Sequence, residues 1–538
     1  MTDPLPAARF GPGWHDEERD DLFAFRWMAR EATLTLPPGG PFLAFYAFSE
    51  FLDASQTLTV RSGEATVAEL PLLHQWTPYS VELPPGATGV AFALNKRFPR
   101  KYYPKDPREL GIRVAEIRRH GDADQHADAA AFLANAVLNV RESIAKSEAP
   151  RSRPLSLGID LHGRCNMVPP CVYCQWDANK DSEGPLVDTV VDEAALEGYG
   201  AFFGAARTLV NCSIGEPLLH PRLKEVLDLL ERRGKFLEMS TNGLSLTARA
   251  ADLLAGRKVF LYVSLDAGTA ATYARIRNDR FETIVAQLRA LSALRSQRGG
   301  WPKLYMVFMP MQVNKGDLEA YFRLCRDLMA DAVVLRPLNV VEERQPVVTR
   351  AGYAFEYHKE HLTPDEQREV FLEAQRWSRE TGVPVLNQFY FGALPAKDEA
   401  AAPEAEEPPP APDPDESPDL GHGRLPLCRE PWQNYYILRR GIMPCCYGHA
   451  PIASMEEYET AWNGPVLREI RENLAAGRFS RYCLESLSCP IVRRHALRRD
   501  PASGEVRQPA WLRAAKVVNR AAFGVPGWIW RGLRGMRS

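Results

Sequence analysis

Several things are scarce in this chain of 538 residues. No run of about eighteen apolar residues occurs, which argues against a transmembrane helix. The opening residues, MTDPLPAARFGPGWHDEERDDL, hold several acids and no apolar stretch, so no secretory signal is expected. Charge of one sign is lacking too: 66 Lys and Arg face 68 Asp and Glu, and bulk electrostatics points to no nucleic acid. These absences predict a cytoplasmic protein, and the length of the chain roughly three domains.

Ten cysteines are present. In a reducing compartment disulfides are rare, so clustered cysteines read as metal ligands or reactive thiols. Two groups stand out, Cys165, Cys171 and Cys174, then Cys428, Cys445, Cys446, Cys483 and Cys489. Cys212 and Cys325 stand apart among apolar neighbours and read as small buried hydrophobes.

The pattern along the chain is uneven. Residues 1–122 hold short apolar runs (ATLTLPP, PFLAFYAF, QTLTVRS, ATVAELPL, YSVELPP, GVAFALN, LGIRVAEI) between Gly, Pro and polar clusters. That spacing predicts a β-sandwich accessory domain. Trp14, Trp27 and Trp76 fit core packing better than a ligand surface. Residues 123–153 read as a connecting amphipathic helix. From 154 to 394 six strand patterns, PLSLGIDL, TLVNCSIG, FLEMSTNG, VFLYVSLDA, KLYMVFMPM and AVVLRPLNV, alternate with helical segments. The fold class expected is α/β: a partial (β/α)6 TIM-like barrel, flanked by the sandwich and a small C-terminal cysteine-rich α+β domain. Residues 395–420 carry eight prolines and nine acids against one lysine and read as a solvated linker. Residues 421–495 hold the second cysteine group. The last segment, 496–538, ends in six basic residues and three tryptophans from Trp511 onward, with no acid. Such a basic amphipathic tail can lie at a membrane interface or pack back on the protein.

The stretch GIDLHGRCNMVPPCVYCQWD follows the first barrel strand with spacing C-x5-C-x2-C. Three thiolates on one short loop can cap three irons of a cubane cluster, leaving the fourth iron open. Zinc is the alternative, and it would need a fourth ligand such as His162. Three further motifs close successive strands: IGEP (Ile214–Pro217), STNG (Ser240–Gly243) and SLDA (Ser264–Ala267). Ligands of such sheets bind at the carboxyl edge of the strands, where these motifs fall.

In this order the motifs resemble the radical S-adenosylmethionine (SAM) superfamily, whose usual spacing is C-x3-C-x2-C. The resemblance implies a SAM-binding 4Fe–4S cluster on Cys165, Cys171 and Cys174, with Tyr173 as the aromatic before the last cysteine. Gly215, Glu216 and Pro217 would lie in the segment whose backbone meets the SAM amino group. Ser240, Asn242, Ser264 and Asp266 would line the cofactor. Arg277 would face the SAM carboxylate. The implied chemistry is reductive cleavage of SAM to a 5′-deoxyadenosyl radical that abstracts hydrogen from substrate. A flavodoxin or ferredoxin would supply the electron.

The second cysteine group, with Cys428–Trp432 as CxxPW, Gly441–Cys445 and the WNG of Trp462–Gly464, resembles the SPASM or twitch extension of that superfamily. The resemblance implies one auxiliary 4Fe–4S cluster on Cys428, one of Cys445 and Cys446, Cys483 and Cys489. A zinc knuckle is the alternative there, and His449 reads as a surface residue. Three functional readings follow. The sandwich and basic tail favour a carbohydrate-derived or lipid-linked small substrate, with peripheral contact at the inner membrane face. SPASM-type proteins often modify peptides, which makes a peptide maturase the alternative, although no winged-helix recognition element is seen near the N-terminus. A non-catalytic iron–sulfur or zinc scaffold is the third. Cys212, just before IGEP, could donate hydrogen to a substrate radical.

Overall fold

The computed structural model describes residues 8–20, 22–174, 189–339, 345–388, 426–486, 489 and 491–492. The linker at 395–420 and the tail from 496 lie outside the described residues. The chain divides into two compact units.

The first unit is built on residues 1–153. Its strands are β1 (Arg9–Phe10), β2 (Trp14–Arg19), β3 (Ala24–Met28), β4 (Glu31–Thr35), β5 (Phe42–Phe48), β6 (Thr57–Ser62), β7 (Ala65–Pro71), β8 (Thr77–Glu82), β9 (Gly89–Leu94) and β10 (Ile112–His120). They form two five-stranded sheets, ordered β1-β4-β9-β6-β7 and β2-β3-β10-β5-β8. Alternation drives the arrangement, because successive side chains leave opposite faces of a strand. Along β4 Ala32 and Leu34 turn inward, along β9 Val90, Phe92 and Leu94, and along β8 Tyr79 and Val81. The expected runs all became strands. Strands β1, β2 and β3 lie outside those runs; the strongly polar β2, WHDEER, gives no apolar signal. Trp27 and Trp76 are buried, and the Trp76 indole N–H donates to Asp20 Oδ2 at 2.8 Å, which supports the packing reading.

Helix α1 (Ala123–Ile144) starts at Asp122, whose side chain accepts from Gln125 N at 2.9 Å. It lies against β8 and belongs to the first unit, so 123–153 is part of that unit and not a separate connector.

The second unit holds a nine-stranded sheet ordered β19-β16-β15-β14-β13-β12-β11-β20-β21. Six strands, β11 (Ser156–Ile159), β12 (Thr208–Asn211), β13 (Phe236–Thr241), β14 (Val259–Ser264), β15 (Lys303–Phe308) and β16 (Ala332–Leu335), are those expected, each parallel to its neighbour. Between them run α2 (Glu193–Gly198), α3 (Gly200–Ala205), α4 (Leu223–Arg232), α5 (Ala248–Leu254), α6 (Ala270–Ile276), α7 (Phe281–Gln297) and α8 (Leu318–Asp327). A hairpin of β17 (Val348–Arg350) and β18 (Tyr353–Phe355) follows. Helix α9 (Pro364–Thr381) has a capping box of Thr363 and Glu366 and leads to β19 (Val385–Asn387), parallel to β16.

The far edge corrects an expectation. Residues 421–495 were read as a separate domain, yet β20 (Asn434–Leu438) pairs in parallel with β11, and β21 (Gly441–Met443) returns antiparallel on β20. The apolar run NYYIL satisfies its backbone on the open edge of β11. From residue 433 the cysteine-rich segment belongs to the second unit.

The two faces of this sheet differ in burial. Leu209, Leu237, Met239, Leu261, Val263, Leu304, Met306, Val333 and Leu335 are 1% exposed or less, as expected under crossover helices. The opposite face carries Glu238, Ser240, Tyr262, Ser264 and Arg336, all half-buried. This is the inner face of the curled sheet.

Candidate active site

The cysteine loop is fastened to each neighbouring strand end. Leu161 N donates to Asn211 Oδ1 at 3.1 Å and His162 N to Ser213 Oγ at 3.0 Å, tying it to the loop after β12. Glu216 N donates to Arg164 O at 2.7 Å. At Gly215 a Cβ would stand 2.5 Å from Gly163 C and His162 O, so only glycine lets the two loops approach this closely. Asn166 accepts from Asn242 Nδ2 at 2.9 Å and donates to Ser245 Oγ at 2.9 Å, reaching the loop after β13. Val172 N donates to Ile276 O at 3.0 Å, and Tyr173 OH donates to Asp266 Oδ2 at 2.5 Å. The loop therefore gathers the three motifs along one carboxyl edge.

The thiols have polar company. Asn242 Nδ2 lies 3.7 Å from Cys165 Sγ, and Arg277 Nη1 lies 3.4 Å from Cys171 Sγ. Burial pushes the Cys171 thiol up to about 11, with Cys174 and Cys165 adding to the rise and the Arg277 charge opposing it. Cys165 reaches the surface, but the protein packed around it raises its thiol as well, and Glu216 and Cys174 add to that. The three sulfurs thus influence one another across a short loop. Among the described residues no three His, Cys, Asp or Glu side chains converge on one metal ion. Each thiolate of a cluster sits on its own iron, so three thiolates on one loop suit a cluster without a fourth protein ligand. Arg277 and Asn242 suit that role by donating to thiolate sulfur.

The remaining cofactor candidates fall into two sets. Ser240 and Ser264 lie at the carboxyl ends of β13 and β14 on the inner face. Gly243 has φ +82° and follows Asn242 into the turn, close under Ile284. The others act within the protein. Glu216 is 1% exposed; its carboxylate accepts from Thr241 Oγ1 at 2.8 Å, Asn242 N at 2.7 Å and Leu218 N at 3.1 Å. Burial raises its pKa against those three donors. Pro217 is buried beside it. Asp266 is fully buried in a left-handed conformation (φ 59°), which a short acidic side chain tolerates when its oxygens are satisfied. They accept from Tyr173, from Met309 N at 2.8 Å and from Arg277 Nη2 at 2.7 Å. Arg277, assigned by resemblance to the SAM carboxylate, is itself buried and grips Asp266, Tyr173 and Cys171. Its place is beneath the cysteine loop.

Cys325 is fully buried, as expected. Cys212 lies half-buried beside Tyr436, Leu438 and Met443. Its thiol is pushed up by burial, with Asp160 and Glu238 adding to the effect.

In the second group Tyr482 is the organising residue that sequence reasoning missed. Its hydroxyl binds Ala450 O and accepts from Ala450 N at 3.3 Å, fastening the turn after Cys445 to the helix 481–485. Burial, then Cys445 and Cys483, raise the Tyr482 phenol to about 12, so both cysteines lie near that ring. His449 packs on Tyr482 at 4.4 Å and pairs with Glu485 at 3.3 Å, a role within the protein surface. Cys446 is exposed. Cys489 follows the helix, its N–H bonded to Ser486 O at 2.9 Å. Cys428 falls in the first unit and the other four in the second.

Residues 159–325 match the family model described as "Radical SAM superfamily". The mycofactocin maturase MftC of Mycobacterium tuberculosis is 31% identical over 146 residues, 26% of this chain and 35% of that protein. Its Mycobacterium ulcerans counterpart is 30% identical over 146 residues, 26% and 37% respectively. The chain thus spans about a third of the length of the curated relatives it matches. Among solved structures, Streptococcus suis SuiB aligns at TM-score 0.43 and 14% identity, covering 68% of this chain and 76% of that one. The match to the radical SAM superfamily thus covers residues 159–325, about a third of the chain.

Proposed function

We propose that this protein cleaves SAM reductively at a 4Fe–4S cluster held by Cys165, Cys171 and Cys174, and uses the product to modify a peptide. The observation that carries the reading is the fastening of the cysteine loop to Gly215, Asn242 and Asp266 along one sheet edge. When bound, the cluster and SAM together supply a carbon-centred radical able to abstract hydrogen. The chain's own residues do the rest. Arg277 and Asn242 offer N–H donors to two of the three sulfurs and so stabilise thiolate over thiol. Ser240 and Ser264 present hydroxyls at the strand ends, where a nucleoside would lie by resemblance. The inner face below them confines the substrate and limits water.

The carbohydrate or lipid reading rested on the sandwich and the tail. The maturase relatives support the peptide alternative better. Among the described residues no helix is long and apolar enough to cross a membrane, and membrane contact through the tail lies outside them. One auxiliary 4Fe–4S cluster near Cys445 and Cys483 belongs to the same reading, and a flavodoxin or ferredoxin is the electron donor.

The test is anaerobic reconstitution with iron and sulfide, followed by dithionite and SAM. Release of 5′-deoxyadenosine is expected, and its loss in the Cys165→Ala, Cys171→Ala, Cys174→Ala triple variant. Wild-type protein that carries only zinc, or leaves SAM intact when reduced, would refute the proposal. For the substrate, retention of a synthetic peptide pool rather than of glycans or anionic vesicles is expected.

A further inference from the structure

On the inner face of the sheet two opposite charges make no side-chain hydrogen bond or ion pair among the described residues. Glu238 lies mid-strand on β13, opposite Val210 of β12 and Phe260 of β14. Arg336 follows β16 directly, its N–H bonded to Phe308 O at 3.0 Å. By the two-residue alternation of strands it shares the face of Val334, which lies opposite Val307, which in turn lies opposite Ser264. Its guanidinium carbon sits 5.1 Å from the Tyr262 ring centroid, and Tyr262 stacks on Tyr305 at 4.9 Å. Around them Phe260, Val307, Val334 and Leu386 form an apolar floor.

Among the described residues neither charge has a side-chain hydrogen bond, and they make no ion pair within 4.0 Å of each other. Arg336 Nε is buried without a partner. Yet the two are near enough that the Arg336 charge pulls the Glu238 carboxyl down, against the larger upward push of burial. An acid and a guanidinium without an ion pair beside an apolar cluster carry a desolvation cost that a direct contact would relieve. A gap between them suits a guest that meets both. The carboxyl-end hydroxyls of Ser240 and Ser264 lie on this same face, toward the cysteine loop.

We propose that Glu238 and Arg336 anchor the substrate inside the barrel, Arg336 taking a carboxylate and Glu238 an ammonium group of one peptide segment, with an apolar or aromatic side chain laid on Tyr262 and Tyr305. This rests on the reading of the chain as an enzyme whose substrate enters the curled sheet. Arginine suits a carboxylate through paired parallel hydrogen bonds. The site would select a zwitterionic or acid-bearing segment over a blocked one.

The probe is glycylphenylalanine, with its C-terminal amide and its N-acetyl form for comparison, in equilibrium dialysis against the anaerobically reconstituted protein. Wild type is expected to hold the free dipeptide about tenfold or more tighter than either blocked form, as one charged hydrogen bond provides. Arg336→Gln should erase the preference over the amide, and Arg336→Lys should keep part of it. Glu238→Gln should erase the preference over the N-acetyl form alone. Unchanged circular dichroism shows that each variant is folded. Equal binding of all three forms by wild type, or preferences that survive in Arg336→Gln and Glu238→Gln, would overturn the inference. SAM cleavage without dipeptide is scored separately. Cleavage without dipeptide preference sinks this inference and spares the proposed function; preference without cleavage does the reverse.

Discussion

Arg277 Nη1 lies 3.4 Å from Cys171 Sγ, while the Nη2 of the same guanidinium holds Asp266 Oδ2 at 2.7 Å. One buried cation therefore joins a proposed cluster ligand to the end of β14, and Tyr173 completes the link through its hydroxyl. The loop and the sheet edge are thus one electrostatic unit.

Replacing Arg277 by Met should leave Asp266 charged and uncompensated in a fully buried site. The expected cost is about 3–5 kcal/mol in apoprotein stability, as for breaking other buried pairs. Urea denaturation of the apoprotein measures it. Asp266→Asn with Arg277→Met should recover part of the loss, because no buried charge then remains.

Gly215→Ala tests the close approach of the two loops. The added Cβ would meet backbone atoms 2.5–2.6 Å away in His162, Gly163 and Arg164. Backbone cannot yield as a flexible side chain does, so the cysteine loop must lift, at about 1–3 kcal/mol. Iron bound per chain after reconstitution should fall, and the circular dichroism spectrum should not change. Full iron loading would show that the loops tolerate separation.

Much of this was legible in the sequence, and the reasons differ by element. β11 to β16 announced themselves because each buries a run of apolar residues between turn signals. The cysteine loop and its companion motifs were legible by order alone. β19 and β20 were not, since VLN is too short to show a period and NYYIL sat among cysteine motifs that pointed elsewhere. Arg277 was legible by resemblance, but its protein partners were not: sequence gives a residue's type and place, whereas the contact with Asp266 depends on that residue adopting a left-handed backbone. Asn166 could have been found as the polar residue directly after Cys165. Glu238 and Arg336 carried no motif; only strand register brings them to one face.

Glu238 gives a pH dependence with a definite sign. Burial raises its folded-state pKa above the ordinary 4.5, and the Arg336 charge only partly offsets this. Between the unfolded and folded values the native state binds the extra proton, so stability falls as pH rises through that window. Glu238→Gln removes the dependence. Relative to wild type, the variant apoprotein should gain stability as pH rises above about 4.5. Urea midpoints from pH 4 to pH 8 measure the difference. A difference that stays flat would mean that folding leaves the Glu238 carboxyl unshifted, and one that slopes the other way that Glu238 is stabilised as an anion in the free protein.

Thiol reactivity gives a final ranking, because alkylation requires both access and thiolate. Cys446 is exposed. Cys325 is fully buried, and burial drives its thiol far up. Cys212 is half-buried, and burial followed by the Asp160 and Glu238 carboxylates keeps it protonated. Iodoacetamide at pH 8 should therefore label Cys446 first in the iron-free, reduced protein, and Cys212 and Cys325 last. Cys165 and Cys171 should fall between, slowed by raised thiols but open enough to react. Peptide mass mapping over a time course reads the order. Early labelling of Cys212 would mean that its thiol ionises readily, which would remove it as a protonated thiol facing the barrel interior. Late labelling of Cys212 that does not speed up as pH is raised to 9 would agree with a thiol held protonated by burial, the state that a donor to a substrate radical needs.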